Sequence, residues 1–126
     1  MNNEIRLAEG EYRFASLVWE NEPIPSGKLV VLSAEALGWK KSTTYTVLKK
    51  LCEREILQNA GGVVTACVKK EDVQRNVSAE VVEKTFDGSL PDFVAAFLNS
   101  RHLSGREAAE IRAMLDAAAR DDRKGD

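Results

Sequence analysis

The residues of this sequence best suited to chemistry form a basic and hydroxylated run between positions 40 and 50. Lysine ammonium groups neutralise phosphates, and the hydroxyls of serine, threonine and tyrosine hydrogen-bond to phosphates or to base edges. The methyl group of a threonine can also contact the methyl group of thymine. We therefore predict a DNA-binding segment whose contact residues are Lys40, Lys41, Ser42, Thr43, Tyr45, Thr46, Lys49 and Lys50.

The distribution of charge supports this prediction, although the whole chain of 126 residues carries a net charge of −2. Residues 38–70 hold seven basic and two acidic groups, a net of +5, whereas residues 1–37 and 71–126 have nets of −3 and −4. A positive segment between acidic ones is typical of an electrostatic footprint for phosphate. A solvated lysine-rich surface would give the same pattern, so the charge alone leaves both interpretations open.

Other chemistry has little support in the sequence. Cys52 and Cys67 lie far apart and have no partner at metal-ligand spacing, and His102 is the only histidine. Glu107 and Glu110 fall on a helix face that we expect to be solvated. There is no phosphate-binding glycine loop and no nucleophile motif. We expect no catalytic residue, no metal, no cofactor and no enzyme activity.

Helical periodicity predicts three helices before and through the basic run. The first covers about residues 9–21 and stops at a proline-rich turn. The second begins at Ser26 and ends at Gly38, and the third begins at Ser42 and ends near Arg54. Ser26 and Ser42 are the predicted N-caps. The second and third helices, with a short turn between them, form a helix-turn-helix pattern.

After the third helix the pattern changes from helical to extended. Ile56–Ala60 and Val63–Val68 are rich in β-branched residues and flank Gly61 and Gly62. Glycine reaches positive φ cheaply, so this pair predicts a tight hairpin turn. Three helices followed by a hairpin is the order of a winged helix. The predicted fold is mostly α with a small β-hairpin: a winged helix-turn-helix followed by a helical dimerisation region.

Residues 71–119 show three amphipathic helices, with a break at Asp87-Gly88 and capping motifs that start at Ser89 and Ser104. Their apolar stripes need a cover that a small winged helix hardly offers. We predict that a second copy of the chain covers them; the alternative is that they fold back on their own winged helix. The predicted dimerisation residues are Val77, Val81, Phe86, Leu90, Phe93, Val94, Phe97, Leu98, Ile111 and Leu115.

These elements divide the chain into three predicted parts. Residues 1–70 form the winged-helix DNA-binding domain, residues 71–119 the helical dimerisation region, and residues 120–126 a flexible tail. No apolar run approaches the length of a membrane span, and the polar N-terminus does not resemble a secretory signal. We therefore expect a cytoplasmic protein with no membrane insertion.

The order and spacing of several motifs resemble the penicillinase repressor family of winged-helix repressors. Glu11-Tyr12 followed by Trp19 is similar to the first-helix pattern of that family, and Pro23 and Pro25 match its usual turn. Gly38-Trp39 with Thr43, Thr46, Leu48 and Leu51 resembles its recognition-helix signature, and Gly88-Ser89-Leu90 the start of its dimerisation helices. The resemblance covers nearly the whole chain.

The resemblance implies a dimeric repressor of antibiotic-resistance or related stress genes, released from DNA when a membrane sensor-protease triggers cleavage in the dimerisation region. The family's Asn-Phe cleavage pair aligns here with Ala96-Phe97. Glu55 replaces the glycine expected after the recognition helix, so we expect this helix to end without a left-handed cap. The wing lacks the family's arginine and aromatics, and the paired C-terminal cysteines of copper-responsive relatives are absent.

The sequence thus predicts a transcriptional repressor that binds double-stranded operator DNA as a homodimer. Its third helices would enter successive major grooves of a pseudo-palindromic site. A winged helix can also serve as a protein-interaction module without DNA, and the wing and the acidic flanks permit that alternative.

Overall fold

The computed structural model describes the backbone of residues 5–125 and the side chains of residues 5–120. Three helices precede a β-hairpin, and three more helices follow it, which confirms the predicted mostly α, winged-helix fold. The elements are α1 (Glu9–Asn21), β1 (Ile24–Pro25), α2 (Ser26–Leu37), α3 (Lys41–Glu53), β2 (Leu57–Ala60), β3 (Val63–Ala66), α4 (Lys70–Thr85), α5 (Leu90–Ser100) and α6 (Gly105–Gly125).

The predicted N-caps of the second and third helices are wrong, because Ser26 and Ser42 lie inside the helices that they were predicted to cap. Pro25 is the N-cap of α2 and Lys40 is the N-cap of α3, and neither helix has a side-chain cap. Ser26 is the first residue of α2, and its N–H donates to the Gly62 carbonyl (2.8 Å). This bond ties the start of α2 to the hairpin turn. The Lys40 carbonyl accepts from the N–H of Thr44 (3.0 Å), so Ser42 lies inside α3.

The hairpin forms at the predicted place and belongs to a three-stranded antiparallel sheet of order β1-β3-β2. Ala60 pairs with Val63 across the turn, and both turn glycines have positive φ, 61° for Gly61 and 88° for Gly62. This geometry matches the right-handed twist of the strands. The sequence did not predict β1, whose Pro25 sits opposite Val63 at the sheet edge, where a missing N–H is tolerated.

The core of the winged helix is assembled from every element before α4. Its buried apolar residues come from α1, β1, α2, α3, the segment after α3, and the hairpin. The cluster is Phe14, Val18, Ile24, Leu29, Leu48, Leu51, Ile56, Leu57 and Val64. The Trp39 ring stacks on Phe14 with 5.4 Å between ring centroids. Trp39 lies between the end of α2 and Lys40, the N-cap of α3, so this contact ties the connection between the two helices to α1.

The end of α3 differs from the prediction, because a left-handed cap forms without glycine. Glu55 has φ of 63°. Its N–H donates to the Cys52 carbonyl (3.0 Å), and the next N–H, of Ile56, donates to the Leu51 carbonyl (2.9 Å). These two bonds make a Schellman motif, in which a hydrophobic contact usually accompanies the turn. Burial of Leu51 and Ile56 holds Glu55 in a conformation that glycine would adopt more cheaply.

The C-terminal helices begin where the sequence predicted. The Ser89 hydroxyl accepts from the N–H of Asp92 (3.1 Å) and caps α5. At the start of α6, Glu107 N–H donates to the Ser104 hydroxyl (3.0 Å) and Ser104 N–H donates to the Glu107 carboxylate (3.3 Å). α6 continues to Gly125, beyond the predicted end at residue 119. The side chains of 121–126 lie outside the described residues, so a flexible tail stays a prediction.

The chain divides into two compact units, Met1–Val81 and Val82–Asp126. The division falls within α4, and Val73 of α4 is fully buried in the first unit. The division into a DNA-binding domain and a dimerisation region stays a prediction. Within the described residues, no helix combines the length and apolar character required to cross a membrane.

Candidate nucleic-acid interface

The recognition helix candidate, α3, is held by one buried side. Thr44 and Leu51 are fully buried, and Leu48 is 2% exposed. Spacing of three and four residues places these side chains on one face of the helix. The eight residues predicted to contact DNA, at positions 40–43, 45, 46, 49 and 50, are all exposed. The fold therefore presents the whole predicted set to solvent, and contact with DNA stays a prediction.

The outermost line of α3 carries two hydroxyls and one cation. Ser42, Thr46 and Lys49 follow one another at i, i+4 and i+7, on the side opposite Thr44, Leu48 and Leu51. A major groove admits a helix whose projecting side chains reach base edges, and short hydroxylated side chains allow a close approach. This line is therefore the predicted base-reading surface of α3.

The start of α3 is suited to a phosphate. Lys40 is the N-cap and Lys41 the first helical residue, and no side chain caps the free N–H groups of the first turn. Unpaired N–H groups and the positive end of the helix dipole favour an anion, and two lysines add to that field. The predicted role of this pair as phosphate anchors is chemically consistent with its position.

Tyr45 lies on the flank of α3, where its hydroxyl is 3.2 Å from the Ser26 hydroxyl at the start of α2. The backbone N–H of Ser26 in turn donates to the carbonyl of Gly62 in the hairpin turn. Tyr45 is 37% exposed. Its hydroxyl therefore connects α3 to α2 and, through Ser26, to the turn of the wing.

Lys50 lies on the other flank, where the carboxylate of Glu11 in α1 is 3.1 Å from its ammonium group. Arg54 lies 3.4 Å from the same carboxylate. Burial raises the pKa of Glu11, but a hydrogen bond from the Ala8 N–H and the charges of Lys50 and Arg54 outweigh it. The pKa of Glu11 therefore lies below its ordinary value of 4.5, and the carboxylate is ionised at neutral pH.

The wing offers little positive charge. Residues 57–66 contain no basic side chain. Val64 is buried in the core and Val63 is 41% exposed at the turn. The Asn59 side chain accepts from the N–H of Gly62 (3.0 Å), so it closes the turn. The hairpin can offer backbone groups and small side chains to DNA, and any positive charge that binds phosphate lies outside it.

The sequence did not single out Glu11, Ser26 or Arg54 as partners of the candidate site. They come from other parts of the chain, with separations of 39 residues for Glu11–Lys50 and 19 for Ser26–Tyr45. Such pairs leave no local spacing pattern. The one signal in the sequence was the sign of the charges. Glu11 is acidic and lies in the first turn of α1, and its partners in the fold, Lys50 and Arg54, are basic.

The predicted dimerisation residues form exposed apolar faces on the C-terminal helices. α5 contains no buried residue, and Leu90, Phe97 and Leu98 are 50%, 42% and 45% exposed. Val77 and Val81 of α4 are also exposed, whereas Phe86 and Phe93 are half-buried against each other.

α5 and α6 border an apolar groove lined by Phe93, Val94, Phe97, Leu98, Leu103, Ala108, Ile111, Arg112 and Leu115. The sequence prediction missed Leu103 and also Met114, which is 67% exposed three residues after Ile111.

A family model described as penicillinase repressor matches residues 7–117 of the chain. The chain belongs to the penicillinase repressor family. This membership makes it a DNA-binding transcriptional regulator of the winged-helix type and supports a role outside catalysis. The resemblance found in the sequence is thereby confirmed.

One curated relative is the penicillinase repressor of Bacillus licheniformis. The two sequences are 21% identical over 115 residues, which cover 88% of this chain and 90% of the relative. The match therefore spans the winged helix and most of the C-terminal helices together.

Two solved structures of regulators resemble the fold. The MarR protein of Staphylococcus aureus, in complex with salicylate and kanamycin, is 14% identical, with a TM-score of 0.48 over 94% of this chain and 75% of that one. A transcriptional regulator of Thermotoga maritima is 18% identical, with a TM-score of 0.47 over 94% and 78%.

The pair that aligns with the family's cleavage position, Ala96-Phe97, lies inside α5. Both residues are exposed, and the Arg101 guanidinium lies 5.4 Å from the centroid of the Phe97 ring. A helical backbone keeps its carbonyls in internal hydrogen bonds. A protease that acts here would have to act on a locally unwound α5.

Proposed function

We propose that this regulator is a repressor that binds a pseudo-palindromic operator as a homodimer. The observation that carries the proposal is the exposed line of Ser42, Thr46 and Lys49 on α3, held outward by a fully buried opposite side. Lys40 and Lys41 at the start of the helix and Lys49 near its end would anchor phosphates, and the threonines would read base edges.

Self-association is supported by the faces of the C-terminal helices. Exposed apolar area of this extent is unusual on a monomer, and α5 lacks any buried residue of its own. In a dimer with a two-fold axis, the same apolar face of each copy would pack against that of the other, so both faces would be buried. Two α3 helices would then lie in major grooves about 10 base pairs apart or a multiple of that spacing.

The family relationship supports a proposal for the regulated genes and for the release mechanism. By analogy with its penicillinase repressor relative, we propose that the protein controls genes for β-lactam resistance or a related stress. It would act in the cytoplasm, where the DNA is, and its release would follow a signal from a membrane sensor-protease. Cleavage between Ala96 and Phe97 would sever α5 and so dismantle the dimer face.

A mobility-shift titration with the DNA upstream of its own gene tests the proposal, repeated at about 50 and about 200 mM salt. A shift that weakens steeply with salt supports phosphate binding, since each neutralised phosphate releases counterions. A competitor of random sequence shows whether the upstream DNA is preferred.

The second candidate is a winged helix that binds a protein instead of DNA. It is favoured by one observation, the absence of basic residues from hairpin positions 57–66. That candidate predicts no shift of the upstream DNA or of random DNA at either salt concentration.

A further inference from the structure

The Glu11 carboxylate engages both of its oxygens. Oε1 accepts from the N–H of Ala8 (2.9 Å) and lies 3.4 Å from Arg54, and Oε2 lies 3.1 Å from the Lys50 ammonium. The Glu11 side chain is only 13% exposed. It is therefore a largely buried anion that α1 directs at two cations near the C-terminal end of α3.

The two cations differ in how firmly they are held. Arg54 is 31% exposed and also donates to the backbone carbonyl of Arg6, so it is fixed between α1 and the segment before it. Lys50 is 60% exposed and stands on the flank of the face that we assign to DNA. Lys50 is thus the cation for which Glu11 and a phosphate would compete.

Lys49 provides the internal comparison. It is adjacent in sequence, belongs to the outermost line of α3, and is exposed as Lys50 is. Among the residues that the structure describes, no carboxylate lies within ion-pair distance of Lys49. The two neighbouring lysines therefore differ in their place on the helix and in their partner: Lys49 lies on the outermost line without a carboxylate, and Lys50 lies on the flank beside Glu11 of α1.

We propose that Glu11 is a positioning residue that limits the sequence-independent affinity of α3 for DNA by holding Lys50 away from phosphate. A lysine already paired with a carboxylate gains less from a phosphate, because binding must first break the existing pair. Non-specific affinity is mostly electrostatic and competes with the operator for the protein throughout a genome. Keeping Lys50 paired with Glu11 therefore weakens binding to non-specific DNA and leaves more of the protein to occupy the operator. This inference rests on the proposed DNA-binding role of α3.

The test compares Glu11→Gln with Glu9→Gln, measuring affinity for a random-sequence duplex by fluorescence anisotropy over a salt series. Glutamine retains the ability to accept from the Ala8 N–H, as in a capping box, and removes only the charge. Glu9 lies in the same first turn of α1 and is exposed, so its variant controls for the change in net charge.

We expect Glu11→Gln to steepen the salt slope by about one unit more than Glu9→Gln does, the value for one additional neutralised phosphate. Between about 50 and about 200 mM salt, this corresponds to an additional three- to fourfold loss of affinity. Equal slopes for the two variants would overturn the inference.

Single lysine variants give an independent measurement that does not depend on the stability of Glu11→Gln. We expect Lys49→Ala to flatten the slope by about one unit and Lys50→Ala to leave it unchanged in the natural background. In the Glu11→Gln background, Lys50→Ala should remove the additional steepness of the salt slope. A slope flattened equally by Lys50→Ala and Lys49→Ala in the natural protein overturns the role of Glu11. A slope that neither variant changes overturns the DNA-binding role of α3 itself.

Discussion

Two hydroxyl groups inside the winged helix lack a hydrogen-bond partner among the described residues. Thr44 of α3 and Ser33 of α2 are both fully buried, and neither side-chain oxygen makes a hydrogen bond. A buried and unsatisfied polar group costs about 1–3 kcal/mol. At the scale of single residues, the stability of this domain is therefore limited by polar groups in its core.

Replacing Thr44 by valine should stabilise the protein by about 1 kcal/mol, because the shape is conserved and the unsatisfied hydroxyl is removed. Chemical denaturation measures the free energy of unfolding. Thr43→Val is the matched control, since Thr43 is exposed on the same turn, and should change stability by less than about 0.5 kcal/mol. A destabilised Thr44→Val variant would mean that the hydroxyl has a partner after all.

Glu55 is a second residue that lowers stability, because a non-glycine residue there has a left-handed backbone conformation. Glu55→Gly should raise the free energy of unfolding by about 0.5–1 kcal/mol. Relief of left-handed strain, about 1–2 kcal/mol, exceeds the added entropy of the unfolded chain. Glu55→Ala removes the same charge but keeps the strain, so thermal unfolding should show no comparable gain. Equal stabilisation by both variants would assign the effect to charge.

At the scale of elements, the hydrogen bonds of Ser26 connect the recognition helix to the wing. Its hydroxyl meets that of Tyr45, and its N–H donates to the turn at Gly62. The hairpin turn and the flank of α3 are thus positioned by one residue of α2. We infer that the tyrosine hydroxyl orients these elements and does not itself read a base.

Tyr45→Phe should therefore lower affinity for operator DNA about two- to fivefold, the value of one exposed hydrogen bond, and leave the salt slope unchanged. Ser26→Ala should do the same, and the double variant should be no weaker than either single one. Binding titrations with a duplex selected from a random library measure all three. Additive losses would instead indicate that the Tyr45 hydroxyl contacts DNA directly.

Helices and the hairpin were predictable from sequence because their signals are local. The stripe of Leu48 and Leu51 repeats at helical spacing, and a Gly-Gly pair specifies the turn between two strands. β1 was missed because two residues, Ile24 and Pro25, have no periodicity. The N-caps were misplaced because the sheet edge, and not Ser26, fixes where α2 begins.

The exposure of the eight candidate contact residues was predictable for the same reason, since they lie on or just before one helix and outside its apolar stripe. The roles of Tyr45 and Lys50 within that set were not. Each depends on a partner distant in sequence, Ser26 for the tyrosine and Glu11 for the lysine. Only the fold brings these pairs together.

At the scale of the whole molecule, the chain combines a positively charged segment with C-terminal helices whose apolar faces are exposed. Residues 38–70 carry a net charge of +5 within a chain of net −2. α5 has no buried residue. Both features are explained if two copies associate through their C-terminal helices and present two α3 helices to one operator.

Phe97→Glu should convert the dimer to a monomer, because it places a charge in the middle of the apolar face. Sedimentation equilibrium gives the mass in solution, and operator affinity should fall about 100-fold or more through loss of bivalent binding. Val31→Glu is the control: Val31 is 54% exposed on α2, outside this face. A dimeric Phe97→Glu variant would place the contact between copies elsewhere.

The most direct test of the account is the affinity of Thr46→Ala for two duplexes, one selected from a random library by the natural protein and one of random sequence. We predict a loss of about 1–3 kcal/mol on the selected duplex, about 5- to 150-fold, with little change on the random one. Equal losses on both duplexes, or no loss on either, would contradict the claim that this face of α3 reads bases.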